Sequence, residues 1–293
     1  MPRVGSNGIQ LEYEAFGDRS ARPLLLVMGL GGQLIMWDEE FCEELADNGH
    51  FVVRFDNRDI GLSTHFDEHG LPDLDELVAA FTSGAPARSP YSLDDMADDT
   101  AGLLEALDLE DAHVCGASMG GMIAQALAIR HPSRVRSLVS IMSTTGEGGL
   151  PGPSAEAMQV LIGPPPTSRE EAVEQGVKTW SVIGSPGFPF DEERTRERAG
   201  RFYDRAHHPA GQARQLAAIV AHGSRREALA GVSAPTLVIH GDADPLVPIE
   251  GGRDTVAAVP GAELLVIEGM GHDLPPGAWP AIIPAIARHT EAG

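Results

Sequence analysis

The sequence predicts an α/β fold: a mostly parallel central sheet flanked by helices on both faces, interrupted by a long helical insertion. Three observations carry this. Short apolar runs at residues 23–28, 51–55, 113–115, 135–142, 236–240 and 262–267 alternate with helical patterns, as in βαβ units. The alternation breaks between residues 144 and 226, where the pattern is helical, and then resumes. The polar residues of interest, Ser118, Asp242, Asp244 and His272, each follow a predicted strand, together with Leu30; in open parallel sheets ligands bind beyond the carboxyl ends of the strands.

The chain opens with an Asn7-Gly8 turn signal and then alternates Ile9, Leu11 and Tyr13 with Gln10, Glu12 and Glu14, the second arm of a hairpin. Residues 23–28 are continuously apolar, which suits a strand buried on both faces. Gly29, Gly31 and Gly32 follow. A phosphate cradle would need a further glycine and a Lys-Ser/Thr pair, and position 34 is Leu34, so the cluster reads as a loop whose backbone approaches a ligand. Trp37, Phe41 and Leu45 share a helical face that ends at Gly49. After the 51–55 strand, residues 56–63 read as a polar turn, and residues 65–90 as a surface excursion with a short helix over 74–81. Ser92 and Asp95 mark a capping box ahead of an amphipathic helix through Leu107.

Ser118 stands between the 113–115 strand and a helix with Met122, Ile123, Ala126 and Leu127 on one side, and glycines lie two residues to either side. This is the pattern of a nucleophile elbow: the reversal strains the serine backbone, and side chains at Gly116 and Gly120 would collide with the neighbouring elements. A serine nucleophile needs a base and the base an orienting carboxylate. His272, in Gly269-Met270-Gly271-His272 after the last strand, is the candidate base; His240 reads as a packed residue behind the site and His113 as a surface residue. The loop after residue 240 offers two carboxylates, Asp242 and Asp244.

The chain has 293 residues and a net charge of −22, which disfavours nucleic acid and anionic membranes as partners because both would repel it. It shows no secretory leader and no apolar run of about 20 residues, so a cytoplasmic protein is expected. Cys42 and Cys115 form no disulfide or metal pattern and read as reduced core residues.

With these residues in view, the chain resembles the α/β-hydrolase superfamily over nearly its whole length, through residues 25–32, 54–63, 113–139, 236–248 and 267–275. The order Ser, Asp, His along the chain is that of the family. The resemblance implies a catalytic triad of Ser118, Asp244 and His272. It selects Asp244 because the family's acid precedes a proline by four positions, here Pro248. It implies an oxyanion hole from the backbone N–H groups of Met119 and Leu30. Where the family commonly has His-Gly this chain has Met28-Gly29, which leaves a backbone donor in place. It implies a serine esterase that forms an acyl-enzyme, acts on a small, largely apolar ester and needs no cofactor and no metal. Leu26-Val27-Met28-Gly29, Arg54-Phe55-Asp56-Asn57-Arg58-Asp59-Ile60-Gly61 and Pro189-Phe190-Asp191 resemble the aclacinomycin-methylesterase-like subgroup, which implies a methyl ester of a polyketide. Carbon–carbon hydrolases, thioesterases and perhydrolases use the same triad, and a receptor on a hydrolase scaffold is the alternative of another class; the intact Ser-Asp-His set argues against the receptor.

Residues 1–143 and 227–293 are thus expected to form the core, and 144–226 a helical cap over the Ser118 end of the sheet. Met158, Leu161, Val182 and Phe202 are among its apolar residues, and Trp180, Ile183, Phe188 and Phe190 are expected to line a substrate pocket.

Overall fold

The computed structural model describes residues 2–83 and 87–291. Strands β1 (Arg3–Ser6), β2 (Ile9–Phe16), β3 (Arg22–Val27), β4 (His50–Phe55), β5 (Ala112–Ala117), β6 (Val135–Ile141), β7 (Thr236–Gly241) and β8 (Glu263–Ile267) form one sheet in the order β1-β2-β4-β3-β5-β6-β7-β8. The opening hairpin is antiparallel, β2 runs antiparallel to β4, and all later neighbours are parallel. Asn7 (φ 47°) and Gly8 (φ 80°) both take positive φ, as the tight hairpin turn requires.

Alternation along each strand sends side chains to opposite faces. Leu25, Val27, Val53 and Val114 meet α3 (Leu93–Ala106) and α4 (Met119–Arg130) on one side. Leu24, Leu26, Val52 and Val139 meet α1 (Glu39–Asp47) and α11 (Trp279–Glu291) on the other. The Ser92–Asp95 capping box forms reciprocally at the start of α3. Helix α4 differs from its expected one-sided burial. Met119 through Ala128 are all buried, because α3 covers the face turned away from the sheet.

The 65–90 stretch contains α2 (Leu74–Ser83), and residues 84–86 lie outside the described residues. Between β6 and β7 the chain forms α5 (Ala155–Leu161), α6 (Arg169–Ile183), α7 (Glu192–Arg205) and α8 (Pro209–His222), before the short α9 (Arg226–Leu229) and later α10 (Ile249–Ala258). Ser154, Ser168 and Asp191 each accept a first-turn amide and so start α5, α6 and α7. The 180–183 run, strand-like in isolation, is the last turn of α6. Gly176 lets α6 and α7 approach, since a Cβ there would lie 2.8 Å from Ala199 Cβ. Among the described residues no helix is long and apolar enough to cross a membrane.

The polar turn at 56–63 forms, with Asp56, Asn57, Arg58, Asp59 and Ser63 buried in it. One expectation fails on burial. His113 is not at the surface. It is 1% exposed with Nδ1 2.8 Å from Ser137 Oγ, and burial lowers its pKa to about 4.

Candidate active site

Strand β5 ends in Ser118, and α4 begins one residue later. Ser118 has φ 56° and ψ −121°, a conformation that costs a non-glycine residue about 1–3 kcal/mol and that the surroundings must enforce. They do so from both sides. Ser118 N–H donates to the Ile141 carbonyl (2.9 Å), and its own carbonyl accepts from Gly121 N–H (2.9 Å) and Ser143 Oγ (2.8 Å). A Cβ at Gly116 would sit 2.1 Å from the Gly120 oxygen, and one at Gly120 2.0 Å from the Val27 oxygen, so only glycine fits at either place.

His272 Nε2 lies 2.9 Å from Ser118 Oγ, and its Nδ1 lies 2.7 Å from Asp244 Oδ2. The other Asp244 oxygen accepts from the Leu246 and Val247 amides, both at 2.9 Å. A proton on His272 Nδ1 satisfies both ring contacts, with Ser118 donating to Nε2. The three side chains come from the ends of β5, β7 and β8, whose carboxyl ends the register aligns, with β6 between β5 and β7 (Ala117 with Ile141, Ile141 with Ile239, Gly241 with Ile267). Asp242 does a different job: its Oδ1 accepts from Gly269 N–H at 2.7 Å and ties the two loops together. His240 is fully buried beneath Asp244, with Nε2 2.8 Å from the Val247 carbonyl, and burial lowers its pKa.

The glycine loop after β3 lies directly on the serine. A Cβ at Gly29 would be 3.1 Å from both Ser118 Cβ and the Ala117 oxygen. Asn57 Nδ2 holds the Met28 carbonyl (2.8 Å) and Asp56 Oδ1 the Leu34 amide (2.7 Å), so the buried turn after β4 fixes both ends of this loop. Leu30, half-buried, sits in the middle of it, and Met119 is the first residue of α4, where helical amides have no partner within the helix.

The insertion reaches these loops. The Ile183 carbonyl accepts from His272 N–H (2.7 Å), Ser185 Oγ from Gly271 N–H (2.8 Å), and Gly187 N–H donates to the Gly269 carbonyl (2.9 Å). Arg205 pairs with buried Asp56 at 2.8 Å, and Arg214 pairs with buried Asp59 at 2.6 Å. Burial pulls the Asp59 carboxyl upward, but Arg214, the Phe66 amide and the Tyr91 hydroxyl outweigh it and hold the group below the usual carboxylate range. No sequence pattern signals these pairs, because their members stand about 150 residues apart and an Asp-rich turn reads as solvated.

Trp180, Phe188 and Phe190 line a cavity of about 70 Å³ whose other walls include Arg198 and Asp273–Pro276, just past His272. Ser118 is not among its walls, and Ile183 is packed into the insertion at 5% exposure. His65, Asp67 and His208 bring ligand-type atoms within 4.8 Å of one another. The two rings are stacked 3.8 Å apart at 5°, so their nitrogens point alongside each other rather than at one ion. Arg214 Nη2 already lies 3.0 Å from His208 Nε2 and 3.1 Å from Asp67 Oδ1, supplying the positive charge.

Residues 22–275 match the model of the alpha/beta hydrolase fold family. The chain is 32% identical over 316 aligned positions to the rhodomycin D methylesterase DauP of Streptomyces sp. (strain C5), covering 99% of this chain and 97% of that one. It is 30% identical to the rhodomycin D methylesterase DnrP of Streptomyces peucetius, again over 99% and 97%. Among solved structures, the enol-lactonase from Burkholderia xenovorans LB400 superposes with a TM-score of 0.76 at 22% identity, covering 99% of this chain and 100% of that one; this speaks to the fold. The chain belongs to the α/β-hydrolase fold family.

Proposed function

We propose that the protein is a serine ester hydrolase. Ser118 Oγ attacks the acyl carbon while His272 Nε2 takes its proton, and Asp244 holds the ring and stabilises the imidazolium. The Leu30 and Met119 amides receive the oxyanion as the tetrahedral centre forms. The alcohol leaves with the proton from His272, giving an acyl-Ser118. Water then attacks with His272 as base, and the acid departs as Oγ regains its proton. The chain of contacts from Ser118 to His272 (2.9 Å) to Asp244 (2.7 Å), on a strained elbow, carries this reading.

The rhodomycin D methylesterase relatives support a methyl ester of a polyketide as the substrate. The helices between residues 144 and 226 act as a cap, supported by their bonds to the His272 loop and to the 56–59 turn. Within it Trp180, Phe188 and Phe190 shape specificity from beside the His272 loop, and Ile183 acts through its carbonyl and as packing. The test is turnover of p-nitrophenyl acetate and of a polyketide methyl ester. Ser118→Ala is expected to fold and to lose about a million-fold in rate on both; an active variant refutes the reading.

A further inference from the structure

The turn that carries Leu30 is held from within the insertion. Residues 29–32 form a tight turn closed by Gly32 N–H donating to the Gly29 carbonyl at 3.1 Å. Its third residue, Gly31, has φ +67°, the left-handed position that favours glycine in such turns. Because a trans peptide points its C=O and N–H in opposite directions, engaging the Gly29 carbonyl inside the turn directs the Leu30 N–H outward. The next peptide is fixed from helix α8. Gly31 N–H donates to Gln215 Oε1 at 2.8 Å, and Gln215 Nε2 donates to the Arg58 carbonyl at 2.9 Å. Gln215 is fully buried, and its amide spans the loops after β3 and β4. Its neighbour Arg214 anchors the same helix turn to Asp59, and the Gln212 side chain lies against Gly31, 2.9 Å from where a Cβ would stand.

We propose that Gln215 is a positioning residue for ester hydrolysis: it locks the Leu30–Gly31 peptide, so that seating of α8 is a condition for a complete oxyanion hole. This rests on the ester-hydrolase reading above. Without the Gln215 acceptor the half-buried Gly31 amide loses its partner inside the protein, and glycine gives the peptide freedom to rotate in search of another. Leu30 shares that peptide and shifts with it. A misplacement on the order of 1 Å at a reacting centre costs about 10²-fold.

The test compares wild type with Gln215→Met, Gln215→Asn and Gln215→Glu on p-nitrophenyl acetate and on its thiono counterpart, whose sulfur anion suits oxyanion donors poorly. Gln215→Met removes the acceptor at nearly constant volume, and Gln215→Asn is too short to span the two loops. Each is expected to lower kcat about 10- to 100-fold with KM within about twofold, and to shrink the preference for the oxygen ester by a similar factor. Gln215→Glu keeps an acceptor for Gly31 and, protonated in this fully buried place, a donor for the Arg58 carbonyl, and should stay within about fivefold of wild type. Melting curves identify any variant that fails to fold, and one folded member of the Met/Asn pair suffices. Wild-type kcat and oxygen preference in a folded Met or Asn variant, or losses in the Glu variant equal to theirs, overturn the proposal. Ser118→Ala, run alongside, separates the two levels. If it is active, the hydrolase reading falls; if it is dead while the Met or Asn variant runs at the wild-type rate, only the role of Gln215 falls.

Discussion

The sheet and the insertion are held together by different forces. Leu24, Leu26, Val52, Val114 and Leu138 of the sheet are wholly buried, and each such side chain contributes about 1.5–3 kcal/mol through burial, without demanding any particular partner. In the insertion the balance is reversed. Among the described residues from 144 to 226, the buried aliphatic side chains are Ala157, Ile183, Ala217 and Ala218, while Met158, Leu161, Trp180, Val182, Phe188 and Phe202 are only half-buried. Ala218 of α8 joins the sheet's core, but the contacts that reach the loops of the site are polar: Arg205 on Asp56, Arg214 on Asp59, Gln215 on Gly31 and the Ile183 carbonyl on His272. Hydrophobic burial tolerates exchange of shapes, whereas a buried ion pair fails when one member is lost. The serine and its partners stand on the first kind of structure, and the helices of the insertion are tied to the loops beside them by the second.

Substitutions separate the two kinds of support. The largest effect belongs to chemistry supported by the sheet. Asp244→Asn should cut turnover by about 10⁴, equivalent to about 5.5 kcal/mol, with little change in melting. Asp242→Asn, which loses only its hold on Gly269, should cost far less. The reverse ranking in steady-state kinetics would mean that Asp242 orients the base.

Next is the seat of the insertion. Arg214→Met strands the buried Asp59 carboxylate, and urea denaturation should read a loss of about 3–5 kcal/mol, most of it restored in the double variant Asp59→Asn/Arg214→Met. Limited proteolysis of Arg214→Met should cut first between residues 144 and 206. First cuts within the strands would contradict the division drawn here.

A third prediction concerns pH. His113 is held neutral in the sheet with its pKa lowered to about 4, so the unfolded chain binds more protons than the folded one between that value and the ordinary 6.5. Its contribution is complete above about pH 6.5, falls as pH drops, and is lost near pH 4, a span worth ~3 kcal/mol. His50, His240 and His289 are shifted downward by burial as well, so the His113 share is the difference between wild type and His113→Gln across that window. Parallel stability profiles of the two proteins would contradict it.

The smallest effect is in the insertion's cavity. Phe188→Ala should change the ratio of kcat/KM for a bulky methyl ester over p-nitrophenyl acetate by about tenfold, leaving p-nitrophenyl acetate turnover near wild type.

The same division governs what could be read from the sequence. Strands β3 to β7 were legible because burial on both faces leaves a continuous apolar run, and Ser92 announced α3 because a capping box acts within four residues. Ser118, Asp244 and His272 were legible because glycine spacing and position after strands are local signals. The turn at residues 56–63 was legible as a polar turn but its burial was not, because charged side chains normally face water, and nothing local says that Arg205 and Arg214 arrive from about 150 residues away. His113 was misread for the same reason, since its partner Ser137 lies on the adjacent strand. The pocket residues were drawn from apolar composition alone, which marks the stretch but not the direction each side chain takes once the helices pack.

In the proposed reaction one serine, on the sheet and not in the insertion, is the nucleophile. Peptide mapping after reaction with a fluorophosphonate, in wild type and in His272→Ala, tests this. A single adduct on Ser118 is expected in wild type, with stoichiometric loss of esterase activity, and labelling at least about 10³-fold slower without His272. An adduct on another residue, or full inactivation with Ser118 unmodified, would contradict it.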